Sequence, residues 1–463
     1  MIVKNKEIVI ERDDIFANDV LDREGLIDNL SKIISTTTDP FVLSIDADWG
    51  AGKTTFVRLL KAHLEKEYEI QSIYFSAWEE DYSKEPLISI VGKIDKHIGN
   101  NFSGNKDLKK LSKLVNKSTA KVLIRGVSAF IKGSTGVDVG GGITEVVTEF
   151  SEKTALDLIE GYKKDEDITK NFKDSIGKLL SSVDSEKPFV IFIDELDRCR
   201  PLYSIELLER IKHLFNIDNL IFILSIDKKQ LSESIKSQYG GIDTNNYLRR
   251  FIDLEYRLKN PNKDQFCDAL FQKYNFDEAL KKKDIKRIYT DGHVNLLKHL
   301  AKSMDLTLRE IEQIFIQFII FTQTIQPRFY EVYFRVFILF SALKIKDSEA
   351  FLDFSSGKIS NQDILEIFFS IIGDDERHLN IIVKSIVLSA FKSDDEFKDL
   401  VDEQEGLLLT DKTEDQRIMV GELTNSPDGY GEYYLNKIIK TVVRKLEFTD
   451  QFNFEIDDSK MPL

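Results

Sequence analysis

The sequence contains little cysteine and little histidine. Two cysteines, Cys199 and Cys267, occur among 463 residues. This number cannot build a disulfide framework, and it is typical of a protein kept in a reducing compartment. Six histidines are scattered along the chain without the spacing of metal ligands. These shortages exclude a disulfide-rich secreted domain and a zinc module.

Long uncharged apolar runs are also missing. The nearest, IFIQFIIFTQTI at residues 314–325, is shorter than a membrane-spanning helix and is followed by Pro327 and Arg328. The first residues, MIVKNKEIVIERDD, lack the apolar core of a signal peptide. We therefore expect a soluble, cytoplasmic protein without a transmembrane segment.

Basic residues are fewer than acidic ones. The formal net charge is −15, and residues 351–463 carry −12 of it, whereas residues 101–133 carry +7. Like charge repels phosphate, so the composition argues against a general nucleic-acid binder. The basic stretch keeps a local contact with phosphates open.

What the sequence does contain is enough apolar material for packed cores. Hydrophobic residues make up 42% of the chain, and 463 residues exceed what one core normally holds, so we expect two or three domains. Helical patterns, such as residues 26–35 and 54–66, alternate with apolar runs of strand length, which predicts an α/β fold with a mostly parallel sheet flanked by helices. The predicted strands are residues 41–46, 71–76, 189–194, 220–226 and 252–258.

The composition and the sequence pattern change at two places along the chain. A helical, lysine-rich piece with a glycine-rich middle, GSTGVDVGGGI, interrupts the alternation at about residues 85–185, and we interpret it as an insertion that contains a flexible loop. After Pro261 the patterns are helical, with few strand signals. The sequence therefore predicts an α/β domain over residues 1–260 with a helical insertion, and an all-helical domain over residues 261–463.

The stretch ADWGAGKT, residues 47–54, joins the first apolar run to a helical pattern. It follows the pattern G-x-x-x-x-G-K-[ST], in which backbone N–H groups surround phosphates, the lysine reaches the β- and γ-oxygens and the hydroxyl, here Thr54, binds Mg²⁺. Ala47 replaces the first glycine, which is tolerable if the backbone there needs no positive φ. An ordinary strand–turn–helix is the alternative. The predicted nucleotide-binding residues are Asp48, Trp49, Gly50, Ala51, Gly52, Lys53, Thr54 and Thr55.

A second motif lies at residues 187–201, KPFVIFIDELDRCRP. Its apolar run ends in Asp194, which puts this carboxylate at the carboxyl end of a buried strand, where it can hold Mg²⁺ through water. Glu195 follows and is the predicted general base that polarises an attacking water. A surface acidic cluster is the alternative, and it suits Asp197 better than Asp194. The two motifs in this order favour a nucleoside triphosphatase with Lys53 as its phosphate-binding cation.

A third element is FILSIDKKQL, which puts Ser225 and Asp227 at the end of the next apolar run. A polar group in that position can sense the γ-phosphate or orient water, so Asp227 is a candidate catalytic residue. An aspartate at the end of a strand also often caps the helix that follows. Both interpretations of Asp227 stay open.

Together these motifs resemble the KAP family of P-loop NTPases. The resemblance covers about residues 15–315 and is most specific in FSAW and in the LDRC of the extended Walker B motif. It implies a P-loop NTPase fold over residues 1–260, ATP and Mg²⁺ as ligands, and ATP hydrolysis. The matching pieces are WGAGKTT (49–55), FSAW (75–78), IDELDRCRP (193–201), ELLERIKHLF (206–215), ILSID (223–227), YLRRFIDLEYRL (247–258) and DLTLREIEQIF (305–315).

The resemblance also implies roles for arginines, because hydrolysis in this superfamily usually needs a cation on the developing charge. Arg309 resembles a sensor arginine that couples the nucleotide to the second domain, and it is a predicted catalytic residue. Arg249 and Arg250 are candidate fingers across an interface that a homo-oligomer would supply. Arg198 is expected to pair with a nearby acid, and Arg23 to lie near the nucleotide base. For each of these, a structural salt bridge is the alternative.

Many members of the family carry transmembrane helices between the two Walker motifs, and this sequence does not. It has instead a basic amphipathic stretch, residues 111–133. Three interpretations stay open: the stretch lies on an anionic membrane surface, it contacts the phosphates of a nucleic acid, or it packs on the α/β domain with a solvated lysine face. The third is the simplest.

The sequence favours an ATP-driven switch in which hydrolysis moves the helical domain relative to the α/β domain. Bacterial members of the family resemble anti-phage defence or phage-exclusion ATPases, which implies a defence or signalling role with protein partners or an effector encoded nearby. The alternative is a scaffold that holds nucleotide with little hydrolysis and recruits partners. A weaker hypothesis is remodelling of nucleic acid through residues 101–133.

Overall fold

A computed structural model describes residues 9–83, 85–134, 152–274, 290–323, 331–373, 377–410, 413–424 and 434–447. The chain divides into two compact units, one formed by Glu7–Asn260 and one that contains Pro261–Leu463. The first unit is a sheet covered by helices, and the second is helical throughout its described residues.

The strands of the first unit lie where the apolar runs predict them, with two of them shorter by one or two residues at their ends. Its described strands are β1 (Phe41–Asp46), β2 (Ser72–Ser76), β3 (Phe189–Asp194), β4 (Leu220–Ile226) and β5 (Leu254–Arg257). A short 3₁₀ helix, Leu196–Arg198, follows β3. The described helices are α1 (Glu24–Ser35), α2 (Lys53–Glu67), α3 (Ala77–Glu80), α4 (Pro86–Asn101), α5 (Lys106–Ser134), α6 (Glu152–Val183), α7 (Pro201–Leu214), α8 (Lys228–Tyr239) and α9 (Thr244–Leu248).

Every pair of neighbouring strands in the sheet is parallel, in the order β2–β3–β4–β1–β5. β4 lies between β1 and β3, and its Ser225 pairs with Ile45 on one side and Asp194 on the other. Because strands are about 4.8 Å apart, the ends of β1 and β3 are about 10 Å from each other. The predicted α/β fold is confirmed, and the order of the strands brings the ends of the two sequence motifs to one edge.

Both faces of the central strands are covered, and this explains why their sequences are apolar without alternation. Val190 and Phe192 of β3 pack in a core with α1 and α2. Phe189, Ile191 and Ile193 point to the opposite face and pack in a core with α4 and α7. Since successive side chains of a strand point to opposite faces, each residue of β3 needs an apolar side chain.

The predicted helical insertion, which lies between the motifs at residues 47–54 and 187–201, is present as α4, α5 and α6. Helix α5 contacts α4 and α6, and its Leu108 and Val115 are buried in the same core as β2 and β3. Through residue 123, where its described side chains end, α5 therefore packs on the α/β unit. Residues 135–143, most of the glycine-rich middle, lie outside the described residues.

The second unit is the predicted helical domain, with a core rich in phenylalanine. The ring of Phe318 packs edge-on against Phe334, with 4.4 Å between ring centroids. The apolar run that begins at Ile314 contributes buried side chains to this core, and none of the described helices is both long enough and apolar enough to cross a bilayer. The described helices are α10 (Lys263–Lys273), α11 (Thr290–Ser303), α12 (Leu308–Gln323), α13 (Glu331–Lys346), α14 (Ser348–Ser355), α15 (Asn361–Ile372), α16 (Arg377–Ser389), α17 (Asp394–Thr410), α18 (Glu414–Thr424) and α19 (Tyr434–Glu447).

Candidate functional site

The loop between β1 and α2 has the backbone geometry of a phosphate-binding loop. Gly50 and Gly52 have φ angles of 79° and 83°, the left-handed region that favours glycine. Gly52 is the N-cap of α2, so the first N–H groups of that helix, which have no partner within it, follow directly. Ala47 has no positive φ, and its buried N–H donates to the carbonyl of Ile226 at 3.2 Å. Its methyl group therefore causes no backbone strain.

Arg23 lies beneath this loop and stabilises its backbone with hydrogen bonds. The residue is 8% exposed, and its guanidinium donates to the carbonyl oxygens of Gly52 at 3.0 Å and Ala51 at 3.1 Å. Burial lowers the pKa of Arg23, and the nearby Asp19 carboxylate opposes this change. The structure thus gives Arg23 a supporting position under the loop, whereas the family resemblance suggested a place near the nucleotide base.

The substitution Gly52→Ala is expected to damage the loop. A Cβ at this position would lie 2.6 Å from Nη2 of Arg23, and the φ of 83° is unfavourable for any L-residue with a side chain. We expect the free energy of unfolding to fall by about 1–2 kcal/mol or more from the backbone conformation alone. Denaturant unfolding measures this. The matched control is Gly25→Ala in α1, where nothing lies within 4 Å of the added Cβ, and a loss of stability equal in both variants would contradict the prediction.

Lys53 lies among carboxylates at the carboxyl edge of the sheet. Its ammonium group donates to the carbonyl of Ala47 and, at 3.2 Å, to that of Asp48. Burial lowers the pKa of Lys53, and four carboxylates act in the opposite direction: Asp197, Asp227, Asp194 and Asp46. Lys53 and the acidic end of β3 are therefore brought together, as the two motifs predict.

Asp194 ends β3 in a fixed orientation and is only 1% exposed. Its Oδ1 accepts a hydrogen bond from the backbone N–H of Glu195 at 2.9 Å, and its Oδ2 accepts one from Tyr74 Oη of the neighbouring β2 at 2.8 Å. Thr54, the predicted hydroxyl ligand, lies in the first turn of α2. Thr54 and Asp194 are the predicted ligands of Mg²⁺, and both lie at this edge of the sheet.

Glu195 is held on both of its carboxylate oxygens. Ser76 Oγ donates to Oε2 at 2.9 Å, and Arg198 Nη1 lies 2.6 Å from Oε1. The guanidinium of Arg198 in turn lies over the ring of Trp78, 5.6 Å from its centroid. Glu195 also has a φ of 63°, a conformation that is uncommon for a residue with a side chain. Residues of FSAW and LDRC, two motifs that are distant in sequence, thus hold the side chain of Glu195 together.

Asp197 is not a surface acid, contrary to the alternative weighed for the acidic cluster. It is 6% exposed, and its Oδ2 accepts a hydrogen bond from the indole N–H of Trp49. Its Oδ1 is buried without a hydrogen-bond partner. Burial raises the pKa of Asp197, against the lowering effects of the Trp49 hydrogen bond and the Lys53 charge. No motif indicated that Trp49 and Asp197 would form a hydrogen bond.

Asp227 is engaged as a helix cap. Its Oδ1 accepts from the backbone N–H groups of Lys229 at 3.1 Å and Gln230 at 3.2 Å, at the start of α8. Its Oδ2 accepts from the backbone N–H of Trp49 at 3.1 Å. Asp227 therefore links the loop between β1 and α2 to α8, which agrees with the capping interpretation, and its catalytic role stays a prediction. Ser225 Oγ is buried nearby without a partner.

The arginines named from the sequence occupy different surroundings. Arg198 makes the expected ion pair with an acid, Glu195. Arg249 and Arg250 are exposed just after α9. Arg309 is exposed near the start of α12 in the second unit. Their roles as fingers or as a sensor stay predictions.

Reasoning from the sequence alone missed two residues that hold the acids of the site, Ser76 and Tyr74. Ser76 was visible inside FSAW, yet its hydrogen bond to Glu195 was not foreseen. Tyr74, whose hydroxyl fixes Asp194, had no motif to mark it. In both cases the partners are more than a hundred positions apart along the chain, and only the parallel pairing of β2 with β3 brings them together.

Comparison with known sequences connects this site to a family. A sequence model of the KAP family P-loop domain matches residues 23–325. The phage T7 exclusion protein of Escherichia coli strain K12 is 22% identical in an alignment of 271 residues that covers 55% of this chain and 36% of that protein. The matched region thus spans little more than a third of the length of this curated relative.

Comparison with solved structures gives remote similarities. The Aeropyrum pernix ORC2 protein, in ADPNP–ADP complexes, has a TM-score of 0.37 and 10% identity, over 92% of this chain and 94% of that one. The Aeropyrum pernix ORC1 protein, in complex with DNA, has a TM-score of 0.35 and 13% identity, over 95% and 96%. At this level the similarities support no statement about the site.

Proposed function

The chain belongs to the KAP family of P-loop domains, and from this membership we propose that it binds ATP with Mg²⁺ and hydrolyses it as a conformational switch. The observation that carries the proposal is the meeting of Lys53 with Asp194 at one edge of the sheet, close enough for their charges to interact. Glu195 directly follows Asp194. Groups suited to bind phosphate, hold a metal and activate water therefore converge.

The residues present fit a nucleoside triphosphate with Mg²⁺. The unpaired N–H groups at the start of α2 can donate to phosphate oxygens. Thr54 and Asp194 offer one hydroxyl and one carboxylate, the small set of protein ligands typical of nucleotide-bound Mg²⁺. The metal, when bound, neutralises charge on the phosphates. The buried, unpartnered Oδ1 of Asp197 and Oγ of Ser225 show that this region keeps polar atoms with unused bonding capacity.

Glu195 is the residue whose contacts have to change during a reaction. A general base needs one oxygen within hydrogen-bond reach of the attacking water, and both oxygens of Glu195 are held by Ser76 and Arg198. Exchange of the Ser76 hydroxyl for water frees Oε2, while Arg198 keeps Oε1 and the orientation of the carboxylate. Ser76 is thus proposed to hold the base until the substrate is in place.

The switch itself begins at Lys53. To reach phosphate oxygens, its ammonium group has to leave the carbonyls of Ala47 and Asp48. Nucleotide binding therefore changes the internal hydrogen bonds of the loop. We propose that the helical unit responds to this change, with Arg309 as the residue that couples it to the nucleotide.

A role in bacterial anti-phage defence or signalling is the proposed context. It is supported by the name of the phage T7 exclusion protein, to which the chain is 22% identical. Because that match covers 36% of the relative, functions of the unmatched part of the relative are not transferred to this chain. Protein partners or an effector encoded nearby, and a homo-oligomer that supplies an arginine finger, complete the proposal.

A nucleotide-binding scaffold is the second candidate function. The observation that favours it is the double hold on Glu195, since a base that stays bound to Ser76 and Arg198 cannot activate water. In that case nucleotide would stay bound and the helical unit would recruit partners.

Metal removal separates these functions. With Mg²⁺ present, the full chain is expected to release phosphate from ATP, and excess EDTA is expected to lower that rate at least about 100-fold, because a metal that stabilises phosphoryl charge contributes several kcal/mol. Phosphate release is measured with ATP and, in parallel, with GTP. Re-addition of Mg²⁺ is the control and should restore the rate. Tight ATP binding without turnover under any condition would instead support the scaffold.

A further inference from the structure

Helix α5 carries a dense row of lysines on one face. At 3.6 residues per turn, these lysines fall within an arc of about 120° around the helix axis. Asp107, the one acidic residue in residues 101–133, lies outside that arc. The lysines are all exposed: Lys106, Lys109, Lys110, Lys113, Lys117 and Lys121. We name this surface the lysine face.

The opposite face of α5 is occupied inside the protein. Leu108 is 1% and Val115 2% exposed, in the core shared with α4, α6 and the sheet. Ser118 Oγ lies 3.3 Å from Ser175 Oγ, which fixes α5 against α6. An amphipathic helix binds a bilayer by burying its apolar face among lipid chains. In the described part of α5 that face is buried inside the protein. The surface left for a partner is the lysine face together with Leu114, which is 51% exposed.

Six like charges lie side by side on the lysine face. Some other helical lysines lie beside acids, as in Lys32–Asp28 and Lys61–Glu65, each at 2.6 Å. Within the described residues, no ion pair joins the lysine face to a carboxylate. Like charges four positions apart destabilise a helix, and acids are plentiful in a chain of net charge −15. A row of this kind without acidic partners indicates an anionic ligand from outside.

We propose that the lysine face binds the sugar–phosphate backbone of a nucleic-acid duplex. From Lys106 to Lys121 the helix is about 22 Å long, and its six lysines can make up to about six contacts with phosphates along the duplex. Binding is electrostatic and independent of base sequence, since lysine contacts to phosphates carry no sequence information. The proposal does not rest on ATP hydrolysis, because it concerns a different surface.

The test uses the full chain with Lys109, Lys113, Lys117 and Lys121 all changed to Gln. Fluorescence anisotropy with labelled duplex DNA and duplex RNA measures affinity between 50 and 200 mM salt. For the unaltered protein we expect a loss of about 10³-fold over this range, as for about six phosphate contacts. The variant should bind more weakly at every salt concentration, and the slope of log affinity against log salt should shrink by about 3 to 4. Comparing the two duplexes tells which of them the surface prefers.

A control variant has the same net charge as the test variant but leaves the lysine face unchanged. It changes four scattered exposed lysines to Gln: Lys212, Lys384, Lys398 and Lys437. It should bind duplexes as the unaltered protein does, and circular dichroism should show that both variants are folded. Equal losses in the two variants would overturn the proposal, as would the absence of duplex binding by the unaltered protein. Binding to vesicles of phosphatidylserine and phosphatidylcholine without binding to duplexes would also overturn it, in favour of a membrane surface.

Discussion

Glu195→Gln is expected to lower ATP turnover by about 10²–10⁴-fold, the usual effect of removing a general base, while nucleotide affinity changes little. The amide of Gln can still accept the hydrogen bond of Ser76, but it cannot take a proton from water. It also gives up the charge that pairs with Arg198 at 2.6 Å. Single-turnover phosphate release and equilibrium binding of ATP, measured on the same protein, separate the loss of chemistry from a loss of binding.

The matched control for this prediction is Glu209→Gln in α7. It removes one carboxylate from the helix that follows the Walker B segment and leaves the Ser76–Glu195–Arg198 cluster intact. Its turnover should stay within about twofold of the unaltered protein, because a substitution away from the cluster usually changes free energies by about 0.5 kcal/mol or less. If Glu195→Gln and the unaltered protein turn over at the same rate, Glu195 is not the base, and the scaffold interpretation gains support.

The fold could be predicted from the sequence because its strands are covered on both faces. Residues such as Phe192 and Ile193 in β3 must both be buried, on opposite sides, so the whole run is apolar and stands out from its surroundings. The end of such a run marks the carboxyl edge of a parallel sheet. Asp194 could therefore be assigned to that edge, near the loop that ends β1, before any coordinates.

The supporting contacts could not be predicted, because they depend on which strand lies beside which. The sequence contains no signal that β2 pairs with β3, and only this pairing puts Ser76 opposite Asp194 and within reach of Glu195. The bond from Trp49 to Asp197 likewise joins residues 148 positions apart. The motifs predict which groups take part in the chemistry, whereas the order of the strands determines which residues hold those groups in place.

Lys53→Met is expected to abolish the stabilisation that ATP with Mg²⁺ gives to the protein. A ligand at one hundred times its dissociation constant stabilises the folded state by about 2.7 kcal/mol, and a variant that does not bind gains nothing. Met keeps most of the aliphatic length of Lys53 but cannot contact phosphate oxygens. Denaturant unfolding with and without ATP and Mg²⁺ measures the difference.

The same substitution should leave the nucleotide-free protein at least as stable as before. Burial lowers the pKa of Lys53 in spite of four neighbouring carboxylates, so its charge is costly there until a phosphate is bound. Lys61→Met is the control on the same helix, because Lys61 is paired with Glu65 at 2.6 Å and lies beyond the first turn of α2. That variant should keep the full ATP-dependent gain. An unchanged gain in Lys53→Met would mean that ATP binds somewhere other than this loop, and the proposed switch would lose its starting point.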